Sequence, residues 1–392
     1  MNTTHNTIKN YFLSQPHQPF FLLAIANAII VMLLFLLSYK GIITLTIDTL
    51  TFHSYTIIFL LFLNGFTGFL FTTFPRFNQS QVIEKDFYTT IFYSNLIGSI
   101  GVIVGAIVSP YMVYLSIVTL FISHGFNVYK LYEIYKQGYA HDKSDSYWIL
   151  IASAFGLVGH ALFFISLFLP DIQNSAIILS FYMYAIFLAF SVGQRMIPFF
   201  SHSFAQKNPK FVPLVFDLFL LLSFSLILEL QPLTLIINLL LGGYMAYEIK
   251  RWELHPLQSP PILWVLHVAL FWLPLSFILG ALSVTAEMFL ETSFYFLTIH
   301  LLALGFLTTV LIGFGTRVIL GHSNQAPHGD TFATKIFLGV QLIVLLRALY
   351  SFNIAFGWGT DFLFDITATA WILLFVLWGG RYSATLLYGK KL

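Results

Sequence analysis

Twelve apolar runs of about 20 residues follow one another along this chain, at 20–39, 52–74, 88–109, 111–134, 147–169, 174–198, 211–229, 232–250, 262–283, 292–319, 333–355 and 362–387. Short polar or Pro/Gly-containing breaks separate them. A run of that length crosses the hydrocarbon core of a bilayer as a helix, whereas barrel strands alternate over about 10 residues. In lipid every backbone N–H and C=O has to be satisfied within its own segment, which favours helices. Composition agrees, since 9% of the 392 residues are charged against about 25% in a soluble domain. The expected fold is an all-α polytopic transmembrane bundle, one integral-membrane domain over 1–392 with tails at 1–19 and 388–392.

The basic residues test the span count. Of the 18 Lys and Arg, 16 fall on the side that also holds both termini, and only Lys40 and Arg347 fall on the other. A missed or surplus span would scramble that asymmetry for everything downstream. The positive-inside rule then places both termini in the cytoplasm, with Trp148, Trp252 and Trp264 near inner ends and Trp358 near an outer end. Lys9 precedes the first run and no small-residue cleavage site follows it, so the start reads as a tail and not a cleavable signal. No strong internal repeat is visible, although "GQRMIPFFSH" (193–202) and "GTRVILGH" (315–322) share a Gly-x-Arg-x-Ile core followed by His.

The chain has no cysteine, which excludes disulfides, thiolate copper sites and iron–sulfur clusters. No Walker loop, HExxH or dinucleotide fingerprint occurs. The scattered basic residues give no nucleic-acid footprint. Function therefore has to be read from ionisable groups inside the spans, each costing about 2.5–3.5 kcal/mol to insert.

The histidines sort into two layers. His53, His124, His160 and His300 lie at middle or outer depth on four helices. Four imidazoles at that depth suit haem b held between helices, with Arg347 as propionate partner. Each could instead hydrogen-bond a neighbouring helix, and Arg347 could snorkel. His17, His202 and His322 form an inner layer and a candidate metal set, with His267 about a turn further in and in reserve for haem. His300 and His322 are 22 residues apart, about 33 Å along a helix, so they do not share a metal. Arg195 and Arg317 make a cytoplasmic polar cluster that Asp217 could face, and the two arginines serve equally well as snorkelling dipole partners.

Several segments together resemble one family: "QPHQPFFLLA" at the first helix, "FHSY" and "GFLFTTFPRF" in the second, "GQRMIPFF" ending the sixth, "WVLHVALFWLPL" in the ninth and "IHLLALGFLTTVLIGFGTRVILGHS" in the tenth. In that order and spread over most of the chain they are similar to the NnrS family. The resemblance implies a bacterial inner-membrane protein of twelve helices that contains haem and copper and is tied to nitric oxide metabolism and nitrosative stress. It reaches His17, His53, Arg195, Pro198, His267, His300, Arg317, Gly321 and His322, whereas His124 and His160 fall in none of its motifs. Many members read Trp-His-x-His-Glu where this chain reads "TFHSYT". The second imidazole is Tyr55 here and the acid is absent, so a metal that needs both imidazoles lacks one.

Three functions compete. The first is a haem protein that binds nitric oxide or a species derived from it, with His300 and His53 as ligands. The second is a secondary transporter, against which stand the missing central loop and the missing Gly-Asp-Arg motif. The third is a factor that handles haem or copper for a respiratory or denitrification enzyme, using the layer of His17, His202, His267 and His322.

Overall fold

The computed structural model describes residues 11–392 apart from Tyr295, so Lys9 lies outside the described residues. Among these, eleven helices are long and apolar enough to cross a membrane, and a twelfth is shorter. They are α1 (His17–Tyr39), α2 (Thr49–Phe77), α3 (Lys85–Val108), α4 (Pro110–Gln137), α5 (Ser144–Ser166), α6 (Pro170–Phe200), α7 (Phe211–Ile227), α8 (Gln231–Arg251), α9 (Pro261–Leu290), α10 (Leu297–His322), α11 (Thr331–Phe356) and α12 (Phe362–Tyr388). No strand occurs among the described residues. Each of the twelve apolar runs lies on one of these helices. Proline opens four of them, α4, α6, α8 and α9, at the first or second position, where its missing N–H costs nothing.

Three helices change pitch part-way. α2, α6 and α10 each pass into a π-helical stretch, Ile57–Phe62, Leu179–Ile186 and Leu301–Thr308. The three stretches begin 122 residues apart, and Gly193 and Arg195 precede Gly315 and Arg317 by the same interval. The chain is therefore three successive sets of four helices, α1–α4, α5–α8 and α9–α12, each with the pitch change in its second member. The shared Gly-x-Arg core seen in the sequence sits on this period. Side chains diverge so far between the sets that the repeat shows in the order of elements and hardly in the residues.

The described chain divides into two compact units. The first runs to Tyr184 and takes in Gly315–Pro327 and Phe375–Leu392; the second is Ala185–Phe314 with His328–Leu374.

In the first unit the π-helical stretch of α2 is held by amides. A π turn takes a carbonyl out of the regular ladder, and the Leu60 carbonyl accepts from Asn27 Nδ2 (2.9 Å) and Asn64 Nδ2 (2.8 Å). Asn95 Nδ2 donates to Asn64 Oδ1 (2.9 Å), and Ser123 Oγ donates to Asn95 Oδ1 (2.7 Å). Asn127 Nδ2 donates to Thr67 Oγ1 (2.6 Å). This buried chain links α1 to α4 through hydrogen bonds that lipid could not replace. Gly105 on α3 makes room for α4, since a Cβ there would fall 2.8 Å from the Val113 backbone nitrogen.

In the second unit the π-helical stretch of α10 satisfies itself. Thr308 and Thr309 hydroxyls donate to the carbonyls of Ala303 (2.7 Å) and Leu304 (3.1 Å), five residues back. Trp272 of α9 lies against Gly305 and donates Nε1–H to Gln341 Oε1 of α11 (2.7 Å). Gln341 Nε2 in turn donates to the Thr309 hydroxyl (3.3 Å).

Candidate functional site

The first unit brings two pairs of histidines together. His124 of α4 and His160 of α5 face each other with ring centroids 5.8 Å apart, and both are fully buried. Ser123, bonded to Asn95, and Asn127, bonded to Thr67, bracket His124 on its helix. Phe59, on the π-helical stretch of α2, stacks on His160 at 4.3 Å, and Tyr184 of α6 lies 5.5 Å from His124. The Tyr55 hydroxyl is hydrogen-bonded to His160 Nε2 at 2.8 Å. Nδ1 of both imidazoles is buried with no hydrogen-bond partner, although buried polar atoms are nearly always satisfied. Gly156, one turn before His160, makes the arrangement possible. A Cβ there would fall 2.7 Å from Tyr184 Cδ2 and 2.9 Å from His124 Cε1. These rings pack directly on one another.

His17 and His322 form the second pair. They stand at opposite ends of the sequence, yet their ring centroids are 4.9 Å apart. α1 starts at His17, which places this imidazole in the first turn, buried, with Nδ1 lacking a hydrogen-bond partner. The end of α10 is fixed next to it by α12. Gly315 lets the Trp378 ring approach, and Trp378 Nε1–H donates to the Thr316 hydroxyl (3.0 Å). Arg317 follows, half-buried. His53 stands elsewhere in this unit, half-buried and stacked on Phe35 at 4.0 Å.

In the second unit His267 has both ring nitrogens occupied, Nε2 by the Ser201 hydroxyl (2.6 Å) and Nδ1 by the Ser259 hydroxyl (3.4 Å). It ties α9 to the end of α6, and packing accounts for it. His202 is exposed in the loop after α6 with left-handed backbone, φ +52°. Arg195 is half-buried, and Asp217 is exposed on α7. His300 is half-buried near the start of α10, and its Nδ1 donates to the Phe296 carbonyl at 2.9 Å. Phe294 packs on Phe352 and Phe356 of α11 at 5.1 and 5.6 Å. The start of α10 and its π-helical stretch pack on α11, which carries Arg347. That arginine is buried, donates to the Ser351 hydroxyl (2.7 Å) and lies 5.2 Å over the Tyr350 ring.

The family model described as NnrS protein matches residues 11–389. The chain belongs to the NnrS family. Among individually curated proteins none matches it. For an NnrS member the multi-pass helical architecture follows directly, and His17, His300 and His322 gain positions that spacing could not give. At Tyr55, which follows His53 on α2, the phenol links α2 to α5 through His160. Phe59, Tyr184 and Gly156 had no signal in the sequence, since aromatics and glycines are abundant in every span. The asparagines could have been found: Asn27, Asn64, Asn95 and Asn127 are strongly polar groups, one in each of the first four runs.

Proposed function

We propose that this NnrS protein is a haem-containing membrane protein of the nitric oxide response, with iron held by His300 and nitric oxide, or a species derived from it, bound there. The observation that carries the reading is the His300 to Phe296 hydrogen bond. A carbonyl only accepts, so the imidazole proton resides on Nδ1 and the lone pair on Nε2. Iron-ligating and other metal-ligating histidines are oriented in this way, with the second nitrogen donating to a carbonyl or carboxylate. Arg347, on the neighbouring helix and bonded to the Ser351 hydroxyl, suits a propionate. When bound, haem would supply an iron able to take a diatomic ligand. An apolar gas needs no pore to reach it through lipid.

A second reading, the handling of copper for a respiratory or denitrification enzyme, is favoured by the convergence of His17 and His322 at 4.9 Å. The three four-helix sets do not favour a major facilitator carrier, which has two six-helix halves.

The test is the haem content and visible spectrum of the detergent-purified protein, with and without nitric oxide. His300→Ala should lose most of the haem and the gas-dependent shift, while His17→Ala and His322→Ala keep both. Full haem content and an unchanged shift in His300→Ala would end this reading. Loss only in the His17 or His322 variant would move the iron to that pair.

A further inference from the structure

We infer that His124 and His160 form a two-imidazole site for monovalent copper inside the membrane domain, with Tyr55 as the residue that orients His160. The inference goes beyond the haem reading and does not rest on it, since it concerns different residues in the other unit.

The observations are two buried imidazoles on different helices with ring centroids 5.8 Å apart, and a buried Nδ1 on each that lacks a hydrogen-bond partner. An orphaned buried polar atom costs about 1–3 kcal/mol, and a shared ion removes two such penalties at once. Metal–imidazole bonds of about 2 Å put the two ligating nitrogens about 4 Å apart, which rings with centroids 5.8 Å apart can meet.

The surroundings select the ion. Among the described residues no three His, Cys, Asp or Glu converge, so neither a tetrahedral zinc site nor an octahedral oxygen site can be assembled. The neighbours of the pair are the aromatic rings of Phe59, Phe121, Tyr55 and Tyr184. A divalent ion would leave two positive charges uncompensated in a low-dielectric interior. Monovalent copper carries one charge, accepts two neutral nitrogens in line, and is at home among polarisable groups. Aromatic faces add favourable cation–π attraction.

Tyr55 completes the arrangement. With Nδ1 of His160 on the ion, its Nε2 carries the proton and donates to the Tyr55 oxygen, the outer hydrogen bond that orients a metal-bound histidine.

The experiment uses the full-length protein in detergent, loaded with monovalent copper in competition with bicinchoninate, and reads stoichiometry, affinity and the copper X-ray absorption edge. Bound copper should fall by one per chain in His160→Asn, whatever the His17 and His322 pair retains. His124→Met supplies a thioether of suitable size and should keep the ion while adding a sulfur shell at about 2.3 Å. Tyr55→Phe should weaken binding about 10-fold or more. A count unchanged in His160→Asn, or no sulfur shell in His124→Met, would overturn the site. Zinc bound more tightly than copper by the same residues would overturn the choice of ion, and unaltered affinity in Tyr55→Phe would overturn the role of the phenol. Haem content serves as the independent readout: it should not change in any of these variants if His300 holds the iron.

Discussion

Asn95 is the middle link of the amide chain in the first unit, and its removal gives the sharpest test of how that unit holds together. Asn95→Ala deletes the bond to Asn64 Oδ1 (2.9 Å) and the bond from Ser123 Oγ (2.7 Å). Asn64 keeps its donor bond to the Leu60 carbonyl, so the π-helical stretch of α2 is weakened and not released. Hydrogen bonds between membrane helices average about 0.6 kcal/mol and reach about 1.7. Two of them come to roughly 1.2 kcal/mol at the average and about 3.4 at the upper value, so the expected loss is about 1–3 kcal/mol, a roughly 5- to 150-fold shift in the folding equilibrium. Reversible unfolding in mixed micelles with increasing sodium dodecyl sulfate measures it. The same titration on Ser123→Ala and on the double variant isolates the pair, and because both residues share one bond the two effects should fall short of additivity by about 0.5 kcal/mol or more. Additive effects within error, or Asn95→Ala as stable as the parent, would refute the claim that this chain carries the packing of α1 to α4.

Gly156→Ala should destabilise by about 1–3 kcal/mol, the usual cost of overpacking, because the new methyl meets Tyr184 and His124; a neutral result in the same titration would mean that the cluster has spare room. His267→Ala should lower stability by about 1 kcal/mol through its two serine bonds and leave haem content unchanged, and loss of the Soret band in this variant would contradict the packing role given to it. Trp378→Phe removes one hydrogen bond to Thr316 and should cost about 0.6 kcal/mol while leaving the ring against Gly315; a much larger loss would show that the indole does more than hold the end of α10.

The helices were legible in the sequence because each is a local property: an apolar run of the right length either spans or does not, and neighbouring runs do not alter it. The threefold order of elements was not legible, since it rests on where three helices change pitch, and the side chains around those stretches have diverged. Asparagine amides from a neighbouring helix satisfy the turn in α2, whereas threonine hydroxyls five residues on satisfy the one in α10. Two solutions to one backbone problem leave no common motif. At the site, depth could be read but partnership could not. His17 and His322 were assigned to one layer and do meet, whereas His202, assigned to the same layer, is exposed in a loop. In the sequence His124 and His160 read as two of four imidazoles suited to haem b. Their pairing depends on Gly156 of α5, where a side chain would run into His124 of α4 and Tyr184 of α6.

His300 is proposed to ligate iron that takes nitric oxide. Electron paramagnetic resonance of the reduced, nitric oxide-treated protein, grown with and without 15N-histidine, tests it most directly. The expected result is a nitrosyl signal split by one imidazole nitrogen, a splitting that changes with the isotope, disappears in His300→Gly and returns when free imidazole is added. A signal with the same splitting in His300→Gly before imidazole is added would contradict it.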